Sequence, residues 1–214
     1  NLWAETGVTD DLRLGSSLEL AVRAAVTSQK DNPFGAWRYN PAGSEADTSV
    51  TGAVLMGLLA ARNAGIEVPD EAVDRAINYF AQMTSASGQV AYSNGAGGFN
   101  ESMARISIGS LVFAIARRKD IPQFAQTLGY LRDKMQGGTS GHGGVSYQNY
   151  YQAQALFQGD IELWKKWNAQ LIDRLKKEQK SGGGFDGTQG PYVATTLSLL
   201  AVAVNYRFLP VYER

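Results

Sequence analysis

Two patterns of apolar and polar positions take turns along the chain. Over 10–29, Leu14, Leu18, Ala21, Val22, Ala25 and Val26 recur three and four apart in otherwise polar sequence, which predicts a helix with one apolar stripe. The same pattern returns over 68–83 (Val73, Ala76, Ile77, Phe80), 121–136 (Phe124, Leu128, Leu131, Met135) and 161–179 (Leu163, Trp164, Trp167, Leu171, Leu175). Pro69 with Asp70 and Glu71, and later Pro122, suit a first helical turn. Between these segments lie stretches of a second kind, over 47–63, 101–118, 150–158 and 192–207, rich in Ala, Gly, Ser, Thr and Leu and poor in central charge. Such composition predicts helices enclosed on most sides. Gly52 and Gly57 each cost a helix interior roughly 1 kcal/mol relative to alanine, and close helix approach is the expected compensation.

The two patterns form a repeat. Gln29, Gln82, Gln136 and Gln179 close the amphipathic segments at intervals of 53, 54 and 43 residues. A glycine and an aromatic follow each time: Gly35/Trp37, Gly88/Tyr92, Gly144/Tyr147 and Gly184/Phe185. Each unit reads as an amphipathic helix, a Gly-aromatic loop and an enclosed helix. Stacking such units side by side buries the second helix of each inside an arc or ring, an all-α, α/α-toroid architecture. The stretches 88–92 and 144–147 are long enough only for isolated bridges.

Composition narrows the function without naming it. With 214 residues, 44% of them hydrophobic, and no shift in composition, the chain reads as a single domain over 1–214. Lysine plus arginine balances aspartate plus glutamate at 20 each, so no electrostatic footprint points to nucleic acid or an anionic membrane. No cysteine is present, which removes disulfides, thiolate nucleophiles and Cys-containing zinc sites together. The longest apolar segment, 193–204, is too short to span a bilayer. The first residues read like the tail of a helix, without a signal peptide, as expected of a C-terminal portion of a longer chain or one whose leader was removed. The compartment is undetermined.

The loops carry a resemblance. Gln29…Gly35-Ala-Trp37 is similar to the Gln-Trp repeat of squalene and oxidosqualene cyclases and the prenyltransferase/squalene-oxidase repeat group. Gly35-Ala-Trp-Arg-Tyr-Asn-Pro41 with Ala46-Asp-Thr-Ser-Val-Thr51, Ala60-Ala-Arg-Asn-Ala-Gly-Ile66 and the ending from Tyr192 to Tyr212 resemble uncharacterised bacterial members of that group. The resemblance covers essentially the whole chain and implies the toroid fold. It argues against the group's chemistries here. The prenyltransferase zinc site needs a cysteine, and so do the thioester proteins on this fold. The cyclase Asp-x-Asp-Asp motif, aligned on Asp47, puts Ser44 at its first position and Ala46 at the proton donor; shifting by one residue restores Glu45 and Asp47 but not the adjacent pair.

Individual residues have two readings each. Asp47 before Thr48 reads first as a helix N-cap and second as an acid at the mouth of a central cavity. Glu101 and Arg105 read first as an i,i+4 ion pair at a helix start and second as polar cavity residues. His142 is the only imidazole, which rules out a multi-histidine metal site and leaves a surface loop or a Ser-His dyad. Trp37 and Phe185 read as staples between units. Tyr147, Tyr150 and Tyr151 read equally as staples and as ligand contacts.

The expected function is a noncatalytic toroid, without cofactor or metal, that binds a small ligand or protein segment at the mouth of its cavity. Asp47, Tyr92, Glu101, Arg105, His142, Tyr147, Tyr150 and Tyr151 are the candidate ligand residues. Helix N-termini at that end are expected to favour a carboxylate or another acceptor. One alternative is an enzyme on the same scaffold, a degenerate class II cyclase or a carbohydrate hydrolase or lyase using carboxylates such as Asp47, Glu101 and Asp186. The other is a purely structural repeat domain.

Overall fold

The computed structural model describes residues 12–93, 98–99, 101–134 and 144–206. Gln136 and His142, and the expectations attached to them, lie outside the described residues. Within these bounds the protein is all-α, with eight helices and a closing 3-10 turn. They are α1 Leu12–Asp31, α2 Thr48–Asn63, α3 Asp70–Gln82, α4 Met103–Ile115, α5 Pro122–Asp133, α6 Gly144–Gly159, α7 Ile161–Glu178 and α8 Pro191–Ala203. The only extended pairings among the described residues are two isolated antiparallel bridges, Asp47 with Ser93 and Thr84 with Val90. The stretch 144–147, expected as a loop, is instead the first turn of α6.

The helix ends follow local chemistry. Asp47 caps α2 by accepting the Val50 N–H at 2.8 Å, and Asp160 caps α7 by accepting that of Leu163 at 3.0 Å, each satisfying an amide that has no intrahelical partner. Ser102 caps α4 through the Arg105 N–H at 3.4 Å. Pro122 and Pro191 open α5 and α8 where a missing N–H costs nothing. On α3 the stripe Val73, Ala76, Ile77 and Phe80 is buried, and Asp70 and Glu71 stand in its first turn.

The amphipathic and enclosed helices segregate into two rows. In the inner row α2, α4, α6 and α8 neighbour one another in chain order, and the most extensive packing in the molecule is that of α4 on α6. The outer helices α1, α3, α5 and α7 each lie against the inner helix of their own hairpin. The centre of the row is the core: every residue from Met103 to Ala114 is buried, as are ten of those between Gln148 and Gln158. Gly52 explains the closeness of α2 to α4. A Cβ there would stand 2.3 Å from Ile108 Cγ2, nearer than two carbons can approach.

Enclosure fails at the ends of the row. Leu58 is buried, but Ala53 is exposed and Leu199 is 60% exposed, against the expectation that the helices over 47–63 and 192–207 are enclosed on most sides. The physical reason is that α2 and α8 have an inner-row neighbour on one side only, whereas α4 and α6 have one on each. Gly57 belongs to the same correction. Among the described residues nothing lies within 4 Å of a Cβ built there, so no described helix approaches it.

The glutamine register is also corrected. Gln29 is fully buried. Its Nε2 donates to the carbonyls of Gly35 and Ala72, both at 2.8 Å, binding its own loop and the start of α3. Gln82 is exposed, and Gln179 donates at the surface to the Gly183 carbonyl. These glutamines recur in sequence without equivalent roles. The loop aromatics are the better repeat marker. Trp37 and Phe185 are both buried, and each donates its backbone N–H to a threonine in the helix that follows, Thr51 at 3.1 Å and Thr195 at 2.9 Å. These bonds tie each loop to the following helix of its own unit, whereas the expectation for Trp37 and Phe185 was a staple between units.

Candidate functional site

The loop after each outer helix feeds the N-terminus of the next inner helix, and these junctions touch one another. The Thr48 N–H at the start of α2 donates to the Tyr92 carbonyl at 2.9 Å. Its hydroxyl donates to the Ala91 carbonyl at 3.0 Å. The second loop is thereby clamped on the first helix start. Near α6, a Cβ on Gly144 would lie 2.7 Å from Thr188 Oγ1, so the fourth loop abuts the start of the third inner helix.

At the centre stands Asp47. Its carboxylate is inaccessible to solvent, with Oδ1 committed to the α2 cap and Oδ2 3.7 Å from Arg38 Nε. Arg38 also pairs with Glu45, whose carboxylate is exposed. Burial works against the Arg38 charge, but Glu45, Tyr92 and Asp47 together outweigh it and hold the guanidinium above its ordinary pKa. Asp47 is therefore a cap and an ion-pair partner at once. Arg38, the residue that ties the cluster together, was not singled out from the sequence; the signal was there in its place between Trp37 and the carboxylates of 45 and 47.

Tyrosines surround this pair. Burial is the main reason the Tyr79 phenol is pushed upward, with the Asp47 charge adding to it and Arg38 opposing. Tyr147, on α6, is half-buried. Burial raises it, hydrogen bonds with Tyr151 and Ser49 oppose the rise, and Tyr39 and Asp47 add to it. Ser49, at the start of α2, thus lies near Tyr147 of α6. The rings of Tyr147 and Tyr150 each meet Tyr151 edge-on at 4.9 Å. Tyr151 is buried, whereas Tyr147 and Tyr150 are half-exposed and Tyr39 is 79% exposed. Of the three tyrosines left open, Tyr151 is core and the other two keep a face toward the surface.

The remaining candidates divide. Arg105 is buried, its Nε donating to the Val90 carbonyl at 3.0 Å and its guanidinium 5.9 Å from the Tyr92 ring centre. It holds the second loop and offers little to a ligand. Glu101 is exposed and lies beside the Tyr130 hydroxyl of α5. Asp186 is exposed and paired with Lys180. Among the described residues no cluster of three or more His, Asp or Glu could hold a metal ion.

Sequence reading missed the polar interior behind the tyrosines. Gln148, Gln152, Gln154 and Gln158 of α6 and Ser107 and Ser110 of α4 are all buried. Four of their oxygens, Ser107 Oγ, Ser110 Oγ, Gln148 Oε1 and Gln154 Oε1, have no hydrogen-bond partner. The run of glutamines in an enclosed helix was the available signal. Two grooves of about 410 and 490 Å³ flank α1 on the outer row, and neither is lined by a candidate ligand residue. No protein-family model, curated protein or solved structure matches the chain.

Proposed function

We propose that the chain is a noncatalytic binding scaffold, an arc of an α/α toroid akin to the squalene cyclase-like repeat group, whose ligand sits at the inner-helix N-termini. One observation carries this reading. Three successive units deliver Arg38 with Asp47, Tyr92 and Tyr147 to one neighbourhood although they are scattered in sequence. Partly exposed tyrosine rings there offer both a face and a hydroxyl, the mixture from which small-ligand and peptide sites are built. The alternation of enclosed and amphipathic helices supports the toroidal arc.

Several features speak for binding over catalysis. Asp47, the one carboxylate matching the cyclase motif, is committed to a helix cap and to Arg38. Ala46, at the proton-donor position, is fully buried and has no proton to give. Asp186 is ion-paired with Lys180 and exposed, a poor setting for a paired-carboxylate mechanism.

The test is a ligand-observed NMR screen of the purified protein against short peptides, small saccharides and polyprenols, with product analysis of each mixture. Binding by one class is expected, weakened at least tenfold by Tyr39→Ala and by Tyr147→Phe, with no product formed. Binding indifferent to both substitutions, or any cyclised or cleaved product, would overturn the proposal.

A further inference from the structure

The mouth was expected to favour an anion, and at the starts of α2 and α4 the structure removes the grounds for that. The α2 N-terminus already holds a carboxylate, its own Asp47, and the α4 N-terminus is closed by Ser102. Arg38 is shared between Glu45 and Asp47. An incoming carboxylate or phosphate would meet two fixed negative charges and no uncommitted cation in this cluster. What the mouth still offers is neutral: the rings and hydroxyls of Tyr39, Tyr147 and Tyr150, and the Ser49 hydroxyl.

The interior between α4 and α6 also carries polar groups. On α4, a Cβ at Gly109 would touch Val90, Phe80 and Thr127, so that side faces the outer row, while Ile108 faces Gly52 of α2. Helical geometry then turns Ser110 toward α6 and Ser107 away from the outer row. On α6, a Cβ at Gly159 would touch Leu128 and Phe124 of α5, which by the same rotation turns Gln154 away from α5 and onto the side of Tyr150. Gln154 lies one turn deeper than Tyr150, roughly 6 Å along the axis, and its Nε2 donates to the Tyr150 carbonyl. Its Oε1, with the Ser107 and Ser110 hydroxyls, is fully buried and unpartnered. A buried polar group left without a partner costs about 1–3 kcal/mol, so Gln154 Oε1, an acceptor, and two serine hydroxyls, which both donate and accept, call for a partner that can do both.

We infer that the ligand of this mouth is a small neutral saccharide, stacked on Tyr147 and Tyr150, with its hydroxyls serving Ser49 at the opening and, through bound water, Ser107, Ser110 and Gln154 behind. The inference rests on the binding reading above and names its ligand class. A sugar matches both halves of the surface: its C–H face suits a tyrosine ring, and its hydroxyls act as donor and acceptor together. Water shared by the interior oxygens and the sugar is held from both sides.

Calorimetric titration of the intact chain tests it, using maltose, cellobiose and trehalose as neutral probes and glucuronate and glucose 6-phosphate as charged ones. At least one neutral sugar is expected to bind, with both anions at least tenfold weaker. Gln154→Leu and, separately, Ser107→Ala should each weaken the neutral sugar at least fivefold. Should Gln154→Leu fail to fold, Ser107→Ala, which removes a single atom, decides the matter. Tighter binding of an anion, no neutral sugar bound at millimolar concentration, or unchanged affinity in the folded variants would overturn the inference. A peptide bound in a Tyr39- and Tyr147-dependent way, with no sugar bound, would remove the saccharide and leave the binding mouth standing. A sugar bound as described but cleaved would keep the saccharide and the mouth and remove the noncatalytic reading.

Discussion

Arg75 of α3 donates two hydrogen bonds, at 3.3 and 3.1 Å, to the side-chain oxygen of Gln29 at the end of α1. The same glutamine's amide nitrogen serves two carbonyls, one on the following loop and one in the first turn of α3. All of the side chain's hydrogen-bonding groups are thus engaged across three elements, in a position with no access to water. Gln29→Leu fills the same space but takes the side-chain donor from the carbonyls of Gly35 and Ala72, both buried and worth about 1–3 kcal/mol each, and the acceptor from the half-buried Arg75. A loss of roughly 3 kcal/mol or more is expected in urea unfolding. Gln82→Ala, at an exposed position, should stay within about 0.5 kcal/mol of the parent.

That contrast shows what the sequence could and could not convey. Helix positions and the split into enclosed and amphipathic types were legible, because apolar spacing is a local property that burial then obeys. The equivalence of the glutamines was not. Whether a glutamine is a buried staple or a surface residue depends on which helix lies opposite, and spacing along one chain does not record that. The contact between loop-to-helix junctions was legible in part, since neighbouring units that stack bring them together. Arg38 escaped notice because its role arises from two carboxylates brought beside it by the turn between them, and the buried glutamines of α6 because polar residues in a helix usually mark its outer face.

Two glycines in one helix should respond to alanine with opposite sign. At Gly57 the added methyl meets nothing, so the substitution gains the helix propensity of alanine, up to about 1 kcal/mol. At Gly52 it meets Ile108 at 2.3 Å, and separating α2 from α4 by that much costs about 1–3 kcal/mol beyond the propensity gain. Denaturant midpoints of the two variants should fall on either side of the parent. If both shift the same way, the close approach at Gly52 is wrong.

Alkaline pH provides a test of the tyrosine cluster. Burial raises the phenols of Tyr79, Tyr147 and Tyr151 above the ordinary value. In the unfolded chain these groups lose their protons near pH 10, whereas in the folded one they keep them. Between those limits the folded state binds more protons than the unfolded, so stability falls as pH rises. Below about pH 10 the contribution is constant. Unfolding temperatures should therefore be flat up to about pH 9 and decline steeply above pH 10, with part of the tyrosine absorbance change appearing only as the fold is lost. Tyr151→Phe keeps the edge-on ring contacts and should lessen the decline. Complete tyrosine titration before any loss of helix signal would show that these phenols are open to solvent.

The sharpest separation of a structural from a catalytic Asp47 comes from two substitutions at that one position. As a cap, the residue needs an oxygen to accept the Val50 N–H at 2.8 Å, and asparagine supplies one whereas alanine does not. Asp47→Ala should cost about 1–2 kcal/mol and leave Arg38 with Glu45 as its remaining carboxylate partner in the cluster. Asp47→Asn keeps the cap and loses the charge facing Arg38 at 3.7 Å, so it should be the milder of the two. An acid catalyst orders the variants differently: both would lose turnover alike, since neither side chain can deliver a proton at the required strength. Incubating the parent chain with polyprenyl substrates should give no cyclised product. If product does form and vanishes equally in Asp47→Asn and Asp47→Ala, while only the alanine variant loses stability, then the carboxylate has a chemical role added to its cap and the noncatalytic reading falls.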